Sequence, residues 1–560
     1  MLAGEAACQD AARLRHIERI ECPQHGDVQE MVAAFGNLRA YAVFFIAEDE
    51  QGGGMQAGGE GVEAAFAERG PVDEESRVPC LVQRPGDVHD LGDRKAFQGP
   101  VRNALPPPPA SRKKSVRRIA MTSEYSIPVR EIPIATLGQA KIPSPLPYGN
   151  MINTGKVMLS LSHEYDEDID THQTLLFEEA GPRQDLYFDP GKTKCAIVTC
   201  GGLCPGLNDV IRAIVLEAYH AYNTPSVLGI RYGLEGFIPS YSHNVMELTP
   251  ASVEHIYQFG GTLLGSSRGP QEPSEIVDAL ERLNVSVLFV IGGDGSMKAA
   301  SAIAKEVRQR NIRISIIGIP KTIDNDINFV PQSFGFDTAV DKATEAIGCA
   351  HVEAVGTPNG IGIVKLMGRE SGFIAAQSAL ALREANFVLI PEAPFQLHGD
   401  GGLLPALERR LKLRGHAVII AAEGAGQHLL QQNEARDASG NPVLSDVGSL
   451  LRTSIVDYFH GKMPISIKYI DPSYIIRSVP ANANDRVYCG FLGQHAVHAA
   501  MAGRTEMVVA KIMDRYVHIP LDLVTKKRRK LDIRSGLWRA VLESTGQGEL
   551  TGMLPEGEKA

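Results

Sequence analysis

The sequence predicts an α/β fold: two Rossmann-like domains with mainly parallel sheets, a cleft between them that holds the active site, and a helical C-terminal extension. Three observations carry this. Short apolar runs recur from about residue 192, and continuous apolar runs of strand length read as strands buried on both faces. A helical segment follows most of them, and strand–helix alternation implies βαβ units and a parallel sheet. The alternation falls into two series, 192–335 and 336–484.

Residues 1–120 stand apart. They hold glycines 52–54, prolines 106–109 and a basic patch of Arg112, Lys113, Lys114, Arg117 and Arg118, without strand–helix alternation. The composition reads as a disordered extension. The abrupt change at Met121-Thr122-Ser123 favours another reading, a mis-called start with translation beginning at Met121. Residues 121–191 form an N-terminal arm. Then 195–200 reads as a strand, 209–221 as a helix, 226–230 as a strand, 285–291 as a strand, 297–308 as a helix and 312–319 as a strand. The second series reads 360–367 strand, 370–382 helix, 387–390 strand, 402–413 helix and 416–422 strand. In 485–560 the stretches 487–501 and 537–542 read as helices.

Bulk properties narrow the class. A net charge of −10 over 560 residues gives no nucleic-acid footprint. No apolar run approaches the ~20 residues that span a bilayer, and no signal peptide is visible at the N-terminus. Neither nucleic acid nor membrane is therefore expected as a partner. Eight cysteines in so long a chain make no disulfide framework. Cys195, Cys200 and Cys204 lack a nearby His to complete a metal-ligand set. A reducing cytoplasm fits this usage.

The chemistry concentrates in four segments. Pro320-Lys321-Thr322-Ile323-Asp324-Asn325-Asp326 follows the strand 312–319. It places two carboxylates and a hydroxyl at a strand's C-terminal end, where open α/β sheets bind ligands. A carboxylate fixed there can accept a proton from a substrate hydroxyl. Ile291-Gly292-Gly293-Asp294-Gly295-Ser296 follows the strand 285–291. Its glycines let amides approach phosphate, and Asp294 can hold Mg²⁺; helix capping by Asp294 or Ser296 is the plainer alternative. Gly201-Gly202 opens another strand–helix turn, a weaker phosphate signal because such turns often need glycine for geometry alone. It has neither the dinucleotide-fingerprint spacing nor the P-loop Lys-Ser/Thr pair. The loop 260–269 adds Arg268 beside Gly269, a cation for nucleotide phosphates. Lys298 either reaches phosphate or faces solvent. The run Lys526-Lys527-Arg528-Arg529-Lys530 is an anion or effector site or, by preference, a solvated surface.

Together with Met367-Gly368-Arg369-Glu370-Ser371-Gly372, Pro391-Glu392 and Tyr474-Ile475-Ile476-Arg477, these motifs resemble the 6-phosphofructokinase family over residues 145–545, most closely its long ATP-dependent branch in plants and trypanosomatids. The resemblance implies phosphorylation of fructose 6-phosphate at its C1 hydroxyl by ATP, with Mg²⁺. Asp324 would be the general base, Thr322 would contact the transferred phosphoryl group, and Arg369 would stabilise developing charge. Gly202, Arg268, Gly269, Gly293, Asp294, Gly295 and Ser296 would form the ATP site, with Asp294 on the metal. Thr322, Ile323, Asp324, Met367, Gly368, Arg369, Glu392, Tyr474, Ile475, Ile476 and Arg477 would bind the sugar phosphate. Residues 192–335 would be the ATP domain and 336–484 the fructose 6-phosphate domain, in a homodimer or homotetramer.

The resemblance also bears on the donor. Pyrophosphate users carry Asp where this chain has Gly295, which favours ATP; Lys321 is shared with pyrophosphate users. Gly360 and Lys468 stand where short bacterial relatives use arginines in sugar-phosphate binding, the first of them from a neighbouring subunit. The rival readings are a pyrophosphate-dependent enzyme, a non-catalytic regulatory subunit of the same fold, and a lipid or NAD kinase sharing the Gly-Gly-Asp-Gly loop.

Overall fold

The computed structural model describes residues 129–147, 149, 151–152, 155–160, 174–430, 435–436 and 442–551. The readings made for residues 1–120 lie outside them. The N-terminal arm gives β1 (Val129–Glu131), β2 (Ile142–Pro143), β3 (Lys156–Ser160), β4 (Thr174–Glu179) and β5 (Asp185–Leu186). The first α/β series gives β6 (Lys194–Thr199), α1 (Leu207–His220), β7 (Ser226–Ile230), β8 (Met246–Leu248), α2 (Pro273–Arg282), β9 (Val287–Gly292), α3 (Asp294–Gln309) and β10 (Ser315–Pro320). The second gives α4 (Phe336–Val355), β11 (Gly360–Leu366), α5 (Phe373–Leu382), β12 (Phe387–Leu389), α6 (Leu403–Arg414), β13 (His416–Ala422), α7 (Val447–Phe459), β14 (Ser466–Ile470) and α8 (Ser473–Ser478). The chain closes with α9 (Ala483–Met501), β15 (Met507–Ile512), β16 (Arg515–Pro520), α10 (Leu521–Thr525) and α11 (Gly536–Thr545).

Two main sheets result. The larger runs β1-β4-β16-β15-β10-β9-β6-β7-β8, with β3 paired to β4. Its centre, from β15 to β7, is parallel. The smaller runs β12-β13-β11-β14 and is parallel throughout. This is the mainly parallel α/β architecture expected. Every residue of β9 and of β10 is buried, as strands covered on both faces must be. On α3 the buried residues Met297, Ala300, Ile303, Ala304 and Val307 recur at helical spacing and turn one stripe to the sheet. One apolar core joins the two sheets: Ile291 and Ile317 of the larger, Val364 and Ile420 of the smaller, with Ala343 and Ile347 of α4 and Ile374 of α5 between.

The C-terminal region differs from the helical stretch expected. It contributes α9 and α11, but also the antiparallel hairpin β15–β16. That hairpin joins β10 to β4 and so ties the N-terminal arm into the large sheet.

Strand register sets up the site. Pro320 pairs with Gly292, and Ile291 with Thr199. The loops after β6, β9 and β10 therefore leave one edge side by side. In the small sheet Leu366 pairs with Ala422 and Leu389 with Ala421, so the loops after β11, β12 and β13 also share an edge.

Candidate active site

On the large-sheet side the helix α3 starts at Asp294, with Gly293 as its N-cap, so the Gly-Asp-Gly-Ser segment is the helix's first turn rather than a turn ahead of it. Helix N-termini present free amides and a partial positive charge to anions. The Asp294 carboxylate lies beside this turn and takes Lys298 Nζ at 2.8 Å and Arg528 Nε at 3.7 Å. Lys298 is thus engaged with Asp294. A Cβ built on Gly295 meets no atom within 4 Å, whereas one on Gly293 comes 3.2 Å from the Lys321 carbonyl. Ser296 donates its backbone N–H to the Gly293 carbonyl at 2.9 Å. The turn at Gly201-Gly202 is held against the 260–269 loop: Ser266 Oγ donates to the Gly201 carbonyl at 2.6 Å, and Gly201 N–H to the Ser267 carbonyl at 3.2 Å. Asn208, the last residue of that motif, bonds Ile256, Phe259 and Leu263 backbone and shapes the same loop. Arg268 is exposed; its guanidinium approaches Gly202, and Gly269 follows with φ +110°. Lys321 is buried, donates Nζ to the Gly202 carbonyl at 2.6 Å, and burial lowers its pKa.

The Asp324 loop is over-determined. Asn325 has φ +57°, a left-handed conformation that Asn tolerates better than most side chains because its amide can hydrogen-bond locally. Its amide is engaged at both ends: Nδ2 donates to the Pro331 carbonyl at 3.0 Å, and Oδ1 accepts from Ser333 N–H at 2.9 Å. Thr322 Oγ1 donates to Asp326 Oδ1 at 2.8 Å and accepts from Asp324 N–H at 3.2 Å. Ser371 Oγ, from the small-sheet side, donates to the Asp324 carbonyl at 2.9 Å. Asp324 Oδ1 is buried and has no hydrogen-bond partner among the described residues. Burial, then the negative charges of Asp326 and Glu423, raise the Asp324 pKa, while a hydrogen bond from the Arg369 backbone opposes the rise. Burial also raises Asp326, against the Thr322 hydrogen bond and the Arg528 charge. Ile323 is withdrawn into the core.

From the small sheet, the loop after β11 brings Met367, Gly368 and Arg369. Gly368 has φ +125°, and a Cβ there would lie 2.4 Å from the Ser371 carbonyl oxygen; only glycine fits the turn that presents Arg369. The Arg369 guanidinium donates to the Pro442 carbonyl. Met367 packs against the core. Glu392 Oε1 accepts from Gly372 N–H at 3.1 Å and Leu531 N–H at 2.7 Å, and its buried Oε2 has no partner among the described residues; burial raises its pKa. In α8, Tyr474 and Ile475 are 74% and 63% exposed, and Arg477 Cζ lies 4.8 Å from the Tyr474 ring centroid. Ile476 is fully buried, so its side chain serves packing and not a ligand surface. At Gly360 a Cβ would meet the Ala354 carbonyl oxygen at 2.1 Å, leaving no room for a side chain, and Lys468 pairs with Glu353 at 3.7 Å.

Sequence reasoning missed two contributors. Glu423 follows β13 directly and interacts with Asp324, Arg369 and Arg477; an acid ending an apolar run was the available signal. The run at 526–530, expected as solvated surface, is built into the site instead. A cleft of about 960 Å³ is lined by Asp294, Lys298, Glu370, Glu392, Lys527 and Arg528, among others. Arg528 Nη1 donates to Glu370 Oε1 at 2.7 Å, bridging from the helix α3 side to the small-sheet side. Arg529 is buried. Asp324 and Asp326, neighbouring carboxyls with raised pKa values, and the α3 N-terminus with Asp294 beside Arg528 are groups that suit proton transfer beside a polyphosphate.

The phosphofructokinase family model matches residues 194–500. The chain is 51% identical over 392 residues to the ATP-dependent 6-phosphofructokinase of Amycolatopsis methanolica, covering 68% of this chain and 85% of that protein. It is 48% identical over 400 residues to the one from Borreliella burgdorferi, covering 70% and 89%. With the Trypanosoma cruzi protein of that name it shares 47% over 375 residues, covering 66% and 77%. Among solved structures, the pyrophosphate-dependent phosphofructokinases of Marinobacter aquaeolei and Nitrosospira multiformis superpose with a TM-score of 0.52 each, at 20% and 17% identity, over 65% of this chain and 94% and 95% of theirs; those two likenesses speak to the fold alone. The loops that carry Asp294, Asp324 and Arg369 all fall inside the matched region, and the chain belongs to the phosphofructokinase family.

Proposed function

We propose that this chain transfers the γ-phosphoryl group of ATP to the C1 hydroxyl of D-fructose 6-phosphate, the committed step of glycolysis, with Asp324 as general base. The observation that carries the reading is Asp324 Oδ1, buried where the large-sheet and small-sheet loops meet and without a partner among the described residues. A carboxylate so placed accepts the C1 proton as the sugar oxygen attacks the γ-phosphorus and the bond to the β-phosphate oxygen breaks. Arg369 neutralises charge on the transferred group, and Thr322 lies beside it. The first turn of α3, with Gly293, Gly295 and Ser296, and the turn at Gly202 cradle the polyphosphate, while Arg268 and Gly269 border it. Glu392, Tyr474, Arg477 and the backbone near Met367, Gly368, Ile475 and Ile476 hold the sugar phosphate, and Glu423 joins them.

Asp294 is the residue that would hold Mg²⁺. Among the described residues no group of three His, Cys, Asp or Glu side chains forms a metal cage; Mg²⁺ needs none, since one or two carboxylates and substrate phosphates suffice. When bound it supplies charge neutralisation across the phosphates.

Open space at Gly295 favours ATP as donor. No helix among the described residues is long and apolar enough to cross a membrane. Among the described residues Cys195, Cys200, Cys204, Cys349 and Cys489 carry free thiols, in keeping with the reading of a reducing cytoplasm. Assembly as a homodimer or homotetramer belongs to the same reading. Fructose 1,6-bisphosphate formation, measured with ATP and pyrophosphate in parallel for wild type and Asp324→Asn, tests it. Turnover with ATP in wild type and its loss in the variant are expected; equal rates for both proteins overturn the proposal.

A further inference from the structure

Residues 526–530 follow Asp324 by some two hundred positions and lie beyond the stretch matched by the family model. Arg529 is nevertheless 8% exposed and fastened to the loop that carries Asp324. Its backbone N–H donates to the Asp326 carbonyl at 2.7 Å. Its Nη1 donates to the Pro331 carbonyl at 3.0 Å and reaches the Asn325 carbonyl at 3.4 Å. The guanidinium carbon sits 4.4 Å from the centroid of the Phe373 ring, at the start of α5, two residues after the Ser371 hydroxyl that holds the Asp324 carbonyl.

These contacts bracket the loop. Asn325 and Asp326 directly follow Asp324, Asn325 is in the left-handed region, and Pro331 lies just past the turn at Asn328-Phe329. A backbone held in a sparsely populated conformation persists only when its surroundings over-determine it. The carbonyl of the buried Asn325 needs a donor; Nη1 supplies one there and a second to the Pro331 carbonyl beside Asn325 Nδ2, while the guanidinium lies over the Phe373 ring, a stacked placement that a lysine ammonium reproduces poorly.

We propose that Arg529 is a positioning residue for Asp324, a clamp supplied by the C-terminal segment that fixes the loop in the geometry proton abstraction needs. The inference rests on reading Asp324 as the base. It is tested in the full chain with Arg529→Gln, Arg529→Lys and Arg529→Ala, by steady-state kinetics and by counting ATP-binding sites calorimetrically. Misplacing a reacting group by ~1 Å costs about 10²-fold, so Arg529→Gln is expected to lose roughly 10- to 100-fold in kcat, with both KM values within about threefold of wild type and all ATP sites retained. Arg529→Lys should recover only part. Added methylguanidinium should restore rate to Arg529→Ala and not to Asp324→Asn. Wild-type kcat in Arg529→Gln, or a loss expressed wholly in KM or in missing ATP sites, overturns the inference. If none of the arginine variants folds, Phe373→Leu, which removes the ring and leaves Arg529, decides: a several-fold fall in kcat supports the clamp and an unchanged kcat overturns it. Failure of the wild type to make fructose 1,6-bisphosphate would instead overturn the reading of Asp324.

Discussion

Gly295→Asp adds one charge to the proposed donor site and little else. Gly295 is exposed, is the second residue of α3, and has no atom within 4 Å of the position a Cβ would take. The fold can therefore accept the side chain. A carboxylate in a helix's first turn is worth about 0.3–1 kcal/mol, and replacing an in-helix glycine adds a few tenths more. Thermal stability should hold or rise slightly. Ligand binding should move the other way, because the new carboxylate stands beside Asp294 in the same anion cradle. At a spacing of ~6 Å and an effective dielectric near 20, a unit charge repels a phosphoryl oxygen by about 3 kcal/mol. Solvent and salt screen an exposed group, leaving roughly 1.5–2.5 kcal/mol, or about 10- to 70-fold in affinity. The assay is calorimetric titration of ATP at low and high salt beside a thermal melt. Weaker ATP binding that partly recovers in salt, with an unchanged melt, is expected. Undiminished ATP affinity in the folded variant refutes the placement of the polyphosphate at this helix end. A loss accompanied by a lower melting temperature would also refute it, since the damage would then lie in the helix.

Asp324→Asn should lower kcat by about 10³-fold, within the range for a lost general base. It should not lower the melting temperature at pH 8, because it removes a buried charge. Burial, Asp326 and Glu423 raise the Asp324 pKa, so wild-type kcat/KM should climb with pH at a midpoint above the ordinary carboxylate value near 4. With the folded value raised, the Asp324 contribution to stability is full below its unfolded pKa and fades as pH rises through the folded one. The stability advantage of Asp324→Asn over wild type should therefore grow across that window, and a difference flat from pH 4 to 9 in chemical denaturation would contradict the assignment. Glu178 Oε1 accepts from Arg183 Nη2 at 2.9 Å, Arg504 Nε at 2.8 Å and His518 Nδ1 at 2.9 Å, tying β4 to β16. Burial pushes this carboxyl up, but His518 and Arg504 outweigh it and hold the pKa well below the usual range. Glu178→Gln should cost roughly 3–5 kcal/mol with kcat per folded site unchanged. The stabilisation it removes is present above the unfolded pKa and is lost in acid, so the wild-type advantage should shrink as pH falls below about 4.

What could be read from the residues divides along contact range. The strands Ser226–Ile230 and His416–Ala422 stand at the bounds expected, because a buried parallel strand declares itself as an unbroken apolar run. The phosphate loops were equally plain, since tight turns at strand ends need glycine and proton transfer needs an acid, both within a few residues. The long helix Phe336–Val355 went unnoticed: its buried face is largely alanine, as at Ala339, Ala343, Ala350 and Ala354, and alanine marks a helical stripe weakly. Its N-terminus is also capped from afar, by Asp485 accepting from Gly335 and Thr338 N–H at 2.9 and 2.8 Å, which no local capping pattern shows. The hairpin β15–β16 was hidden for a similar reason, since its place in the large sheet depends on β10 and β4 far earlier in the chain. The basic run at 526–530 is the sharpest case. By composition it is a solvated surface, and Lys526 and Lys530 are exposed. Arg528 and Arg529 differ only in what the fold sets opposite them: Glu370 and Asp294 for one, the carbonyls of the Asp324 loop and the Phe373 ring for the other. A cation run is read correctly only once its partners are known, and here Asp294, Glu370 and Asn325 lie in motifs already singled out for the chemistry, while Pro331 and Phe373 do not. The acidic loop and the basic segment that fastens it are two halves of one device, and only the half with a local signature could be seen in the chain alone.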